Sequence, residues 1–65
     1  MIRVPVERLR TGDQFFWAGV AVEVHRVTER PTAGVAVVVV DPSGPRAPYM
    51  RRLFYKPGEV VELVR

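Results

Sequence analysis

The sequence predicts an all-β domain, a small closed or half-closed barrel of five short strands. Three observations lead there. No window of helical length places apolar side chains at i, i+3, i+4 and i+7, so no amphipathic helix is written into the chain. Valine is abundant and alternates with polar residues in several stretches, the pattern of half-buried strands. Six prolines and five glycines punctuate the chain at short intervals, supplying turns at the spacing a small barrel needs.

The elements follow in chain order. Ile2, Val4 and Val6 alternate with Arg3 and Pro5, a short first strand. Its proline belongs at an edge or a bulge, because it has no amide N–H to give to a ladder. Arg10-Thr11-Gly12-Asp13 is a turn, with Gly12 free to take a positive φ. Gln14 to Trp17 opens the second strand and Ala18-Gly19 reverses it tightly. Val20, Val22 and Val24 then lie on one face, with Ala21, Glu23 and His25 on the other. Val27 has the opposite parity. A one-residue slip exchanges the two faces, so a bulge is expected near His25–Arg26, where a long strand turns a corner.

Residues Thr28 to Gly34 read as a loop. Val35 to Val40 is apolar on both faces, and is either the central strand or covered on its second face by another copy. At a free edge, such an uncharged run would invite aggregation. DPSGPRAP, residues 41–48, is a proline-rich loop. Tyr49 to Lys56 is a strand, Pro57-Gly58 a turn, and Glu59 to Val64 the last strand. Tyr49 to Lys56 is counted as the fourth strand, and the total is five.

At 65 residues the chain is one domain, 1–65, near the lower size limit for a single core. There is no cysteine and one histidine, His25, which excludes disulfides and leaves zinc without a ligand set. No metal or cofactor is expected, and stability must come from apolar packing, with self-association as the available supplement. MIRVPVERLR has no long apolar run behind its basic residues, and Val35–Val40 is too short to cross a bilayer. A soluble, cytoplasmic protein without a membrane partner is the expectation.

Catalytic chemistry finds no support. Ser43 is the only serine, no cysteine is present, and GDQFFWAG has neither the spacing nor the following helix of a phosphate loop. Paired carboxylates placed for acid–base work are not evident, and His25 beside Glu23 reads as a surface pair. No catalytic residue is assigned, and the chain is not expected to be an enzyme.

The net charge of +3 is concentrated in one segment. Residues 1–41 carry five arginines against five acids, whereas residues 42–58 carry Arg46, Arg51, Arg52 and Lys56 with no acid. Nine of the ten cations are arginine, which suits forked contacts to phosphate and equally suits GC-rich coding. In a strand, Tyr49, Arg51, Leu53 and Tyr55 share one face, and Met50, Arg52, Phe54 and Lys56 the other. Two rings and a guanidinium on the first face can stack bases and meet phosphates. Arg46, Tyr49, Arg51, Arg52, Tyr55 and Lys56 are therefore the candidate nucleic-acid-binding residues, and four phosphate contacts imply a log–log salt slope of about −3 to −4. The alternative is an outward face of tyrosines and arginines pairing across strands. In FFW, Phe15 and Trp17 share a face and Phe16 takes the other. Either these rings fill the core and seal an open end, or Phe15 and Trp17 line an aromatic groove with Asp13 and Gln14 at its rim.

The stretch LRTGDQFFWAGVAVEVHRV, then a strand, a loop and LFYKPGEVVELV, resembles the amino-terminal SH3-like (KOW-type) barrel of the elongation factor P family. There, too, a leucine-x-x-glycine turn leads into a hairpin, a long valine-rich strand follows, and a phenylalanine precedes a glycine–glutamate turn. The resemblance covers most of the chain and implies a five-stranded SH3-like barrel. That family carries a modified lysine at the tip of the loop after the long strand. ERPTAGV has no lysine, so the translation-factor role is not implied. Two functions follow from the residues: a non-catalytic accessory protein binding nucleic acid, or an interaction module offering aromatics and valines to a protein partner or to a homo-oligomer.

Overall fold

The computed structural model describes residues 2–30, 34–42 and 49–64, and of Glu29, Arg30 and Tyr49 the backbone alone. Six strands form one antiparallel sheet: β1 (Ile2–Pro5), β2 (Gln14–Trp17), β3 (Val20–Arg30), β4 (Gly34–Asp41), β5 (Tyr49–Tyr55) and β6 (Val60–Leu63), in the order β1-β6-β2-β3-β4-β5. The all-β class expected from the valine pattern is what the chain adopts.

The expected count and closure are corrected. The hairpin at Ala18-Gly19 separates two full strands, with Trp17 opposite Val20, so the strands number six rather than five. The sheet is not closed into a barrel: among the described residues β1 pairs only with β6, and β5 only with β4. β1 ends at Pro5 after four residues, and the chain turns through a 3₁₀ helix at Val6–Arg8. Val6, expected in the first strand, instead starts that turn and is fully buried. The proline sits on an edge strand, as its missing donor requires.

The bulge is where the alternation places it. Val24 faces Val39 and Arg26 faces Val38, so His25 is the extra residue. Val22 and Val24 before it and Val27 after it therefore reach the same core, while Glu23, Arg26 and Thr28 face outward. The RTGD turn pins this bend. The Arg10 amide donates to Asp13 Oδ2 at 2.8 Å, the Gly12 amide to the Val24 carbonyl at 2.9 Å, and the Thr11 hydroxyl to the His25 carbonyl at 3.1 Å. A bulge leaves backbone groups outside the ladder, and here the neighbouring turn takes up one of them.

The loop expected over residues 28–34 is shorter than the sequence suggested. β3 runs on to Arg30 and β4 starts at Gly34, so the long hairpin continues past Thr28. Gly34 is the residue that permits this. Its φ is +99°, and a Cβ there would collide with the Tyr55 carbonyl of β5. The core beneath the sheet comprises Val6, Leu9, Phe15, Val22, Val24, Val35, Val37, Val39, Leu53 and Val61. Each such aliphatic or aromatic side chain contributes about 1.5–3 kcal/mol over its exposed state. The proline-rich loop at 41–48 falls almost wholly outside the described residues.

Candidate functional site

The register across β3, β4 and β5 sorts their side chains into two faces. On the inner face the rows are Val24–Val39–Arg51, Val27–Val37–Leu53 and the Val35–Tyr55 pair. On the outer face they are Glu23–Val40–Met50, Arg26–Val38–Arg52 and Thr28–Ala36–Phe54. The valine run thus has a double character. Val35, Val37 and Val39 are buried, while Ala36, Val38 and Val40 are half-buried on a face that no described residue covers.

Arg51 and Tyr55, selected from the sequence with Tyr49 for base stacking, share their parity with Leu53. Leu53 is buried against Val37, so Arg51 and Tyr55 lie on the core-facing side. Tyr55 is half-buried and meets Phe15 edge-on, with ring centroids 6.3 Å apart and planes at 69°. Burial, and secondarily the charge of Glu59, raise its phenol pKa above the ordinary value. Arg51 donates from Nε to Asp41 Oδ2 at 2.7 Å, and its Cζ lies 5.2 Å from the centre of the Trp17 ring. The Asp41 side chain is only 2% exposed. Such a carboxylate is stable in the core only with charged or hydrogen-bonding partners, so Arg51 is committed inward.

Phe15 and Trp17, the candidate groove residues, differ in burial. Phe15 is entirely buried, and Trp17 is half-buried against the core beneath the Arg51 guanidinium. Arg46 lies outside the described residues, as does the side chain of Tyr49. Of the candidate cations, Arg52 and Lys56 remain exposed, and Arg52 stands on the outer face.

Around Arg52 the fold assembles residues that sequence reasoning had not grouped. Arg26 comes to the same row, one strand beyond Val38. Phe54 is 76% exposed and Met50 is 50% exposed, the first being the most exposed large apolar side chain described. Neither Arg26 nor Arg52 has a carboxylate partner among the described residues. A shallow hollow of about 380 Å³ lies over Ala36 and Val38, bounded by Arg26, Thr28, Arg52 and Phe54. The signal for this grouping was present in the sequence: Arg26 follows the bulge, and Phe54 has the parity of Arg52. What concealed it was that both parities of 49–56 carry rings and an arginine, so the inward face is decided by register with β4.

No family model, curated protein or solved structure matches the chain.

Proposed function

We propose that this chain is a small, non-catalytic nucleic-acid-binding protein of SH3-like type whose ligand lies on the outer face of β3, β4 and β5. The SH3-like reading is supported by a continuous run of ladders, β6-β2-β3-β4-β5, in which β3 is long and carries a bulge. In that reading β1 is an added edge strand. The observation that carries the function is the exposed Phe54 ring beside the Arg26–Val38–Arg52 row. An exposed ring offers a stacking surface to any base, and flanking guanidiniums offer charge to the backbone. Lys56, exposed just beyond β5, extends the positive rim.

Gel-shift or fluorescence anisotropy titration at low salt tests this. Wild type binds a mixed-sequence oligonucleotide, and Arg26→Ala with Arg52→Ala together weaken it about tenfold or more. All three positions are exposed, so Phe54→Ala and the double variant should fold. Wild type that leaves DNA and RNA unshifted at low salt rejects the reading.

A second reading, self-assembly, rests on a different feature: β5 is an edge strand whose outer row exposes Met50 and Phe54. Face-to-face pairing of two copies would bring four guanidiniums from Arg26 and Arg52 together, and such like-charge juxtaposition is costly. Charge therefore favours an anionic ligand over a second copy. A solution mass that rises with concentration, with no oligonucleotide bound, reverses that preference.

A further inference from the structure

We infer that the outer face takes unpaired nucleotides rather than duplex, with one base seated over Ala36 against Phe54; this rests on the nucleic-acid reading above. Ala36 is the smallest side chain of the outer rows, set between Thr28 and Phe54, so the floor of the sheet dips there. The hollow above it, about 380 Å³, falls within the range of small-ligand sites. One wall is the exposed Phe54 ring. The opposite wall is Thr28, whose hydroxyl makes no hydrogen bond among the described residues and is free to meet the edge of a base.

The next row supplies the charge. Rows on one face are separated by two residues, roughly 7 Å along a strand, and neighbouring strands by roughly 5 Å. Arg52 thus stands one row from Phe54 on β5, and Arg26 one row from Thr28 on β3. A nucleotide whose base fills the hollow carries its phosphate to that arginine row. Duplex cannot use this arrangement, because the base faces are hidden by stacking on one another. Nor, among the described residues, do the outer rows carry a helix to enter a major groove. An acidic peptide would satisfy the two arginines but leaves the Ala36 hollow and the stacking face without a role.

The test compares a short labelled oligothymidylate, the same strand annealed to oligodeoxyadenylate, and polyglutamate, by fluorescence anisotropy at low salt. Wild type is expected to bind the single strand about tenfold or more tightly than the duplex. Ala36→Leu, which fills the hollow, and Phe54→Ala each weaken single-strand binding about tenfold, while Phe54→Tyr retains it. Thr28→Val repeats the test at an exposed strand position if Ala36→Leu is poorly folded by circular dichroism. Duplex binding equal to or tighter than single-strand binding, or full affinity in Ala36→Leu and Phe54→Ala, overturns the base seat and leaves the broader reading standing. Binding of polyglutamate with neither nucleic acid bound overturns both.

Discussion

The Arg51 guanidinium donates to the buried Asp41 carboxylate at 2.7 Å while lying over the Trp17 ring. The contact joins the start and end of the β4–β5 connection to β2 and turns a cation of the basic segment into a structural group. Arg51→Ala removes this donor from a carboxylate that is 2% exposed. Because the Arg51 side chain is itself 40% exposed, the loss belongs at the low end for a broken buried pair, about 2–3 kcal/mol. Urea denaturation should show a lower midpoint. Oligonucleotide affinity of the folded variant should stay within about twofold of wild type, since Arg51 faces away from the outer rows.

Gly34 and Gly12 form a natural pair for separating strain from collision. Both have strongly positive φ, +99° and +95°, but a Cβ at Gly12 meets open space whereas one at Gly34 meets the Tyr55 carbonyl. Gly12→Ala is expected to cost about 1–2 kcal/mol through backbone strain. Gly34→Ala adds a backbone collision and should cost clearly more, about 3 kcal/mol or above. Equal losses in the two variants would show that the β4–β5 approach is not tight.

Ala18 leaves room for improvement. It occupies the first position of the two-residue hairpin turn at φ +51°, followed by Gly19 at φ +80°. Two positive φ values define the turn type that favours asparagine then glycine. Ala18→Asn should therefore stabilise the protein by about 0.5–1 kcal/mol, read as a rise in thermal midpoint. A fall in midpoint would mean that Ala18 makes a contact that outweighs its backbone strain.

The chain's pH response at the alkaline end follows from Tyr55. Its folded-state pKa is raised, so the folded protein holds the phenolic proton more tightly than the unfolded chain does. The resulting stability is whole below the ordinary phenol pKa of about 10 and is lost as pH rises from there through the folded-state value. Thermal midpoints measured across that window should fall in wild type and fall less in Tyr55→Phe. Ultraviolet titration of Tyr49→Phe, which leaves Tyr55 as the sole phenol, should show ionisation above the free-phenol range.

Much of the fold was legible because period-two patterning records which face is buried. The opposed parities of Val24 and Val27 located the bulge near His25–Arg26, where the register shifts at His25, and Ala18-Gly19 located the hairpin. Closure was not legible, because alternation records which face of a strand is buried but not whether the two edge strands of a sheet meet. The site was half legible. Local excess of charge marked β5, and Arg52 on it and Lys56 just beyond it are exposed. The inward commitment of Arg51 was hidden, since it depends on Asp41 arriving from the far end of β4. The arrival of Arg26 beside Arg52 was hidden for the same reason: it requires two ladder registers at once.

The central claim is that the outer arginine row, and not the Tyr49–Arg51–Tyr55 row, meets the ligand. The most direct measurement is the salt dependence of single-strand affinity for wild type and for Arg26→Ala with Arg52→Ala. Three phosphate contacts, from Arg26, Arg52 and Lys56, give a log–log slope of about −2, and the double variant should retain a slope of about −0.7. A slope that the double variant leaves unchanged, or that collapses only on removal of Arg51, would contradict the account.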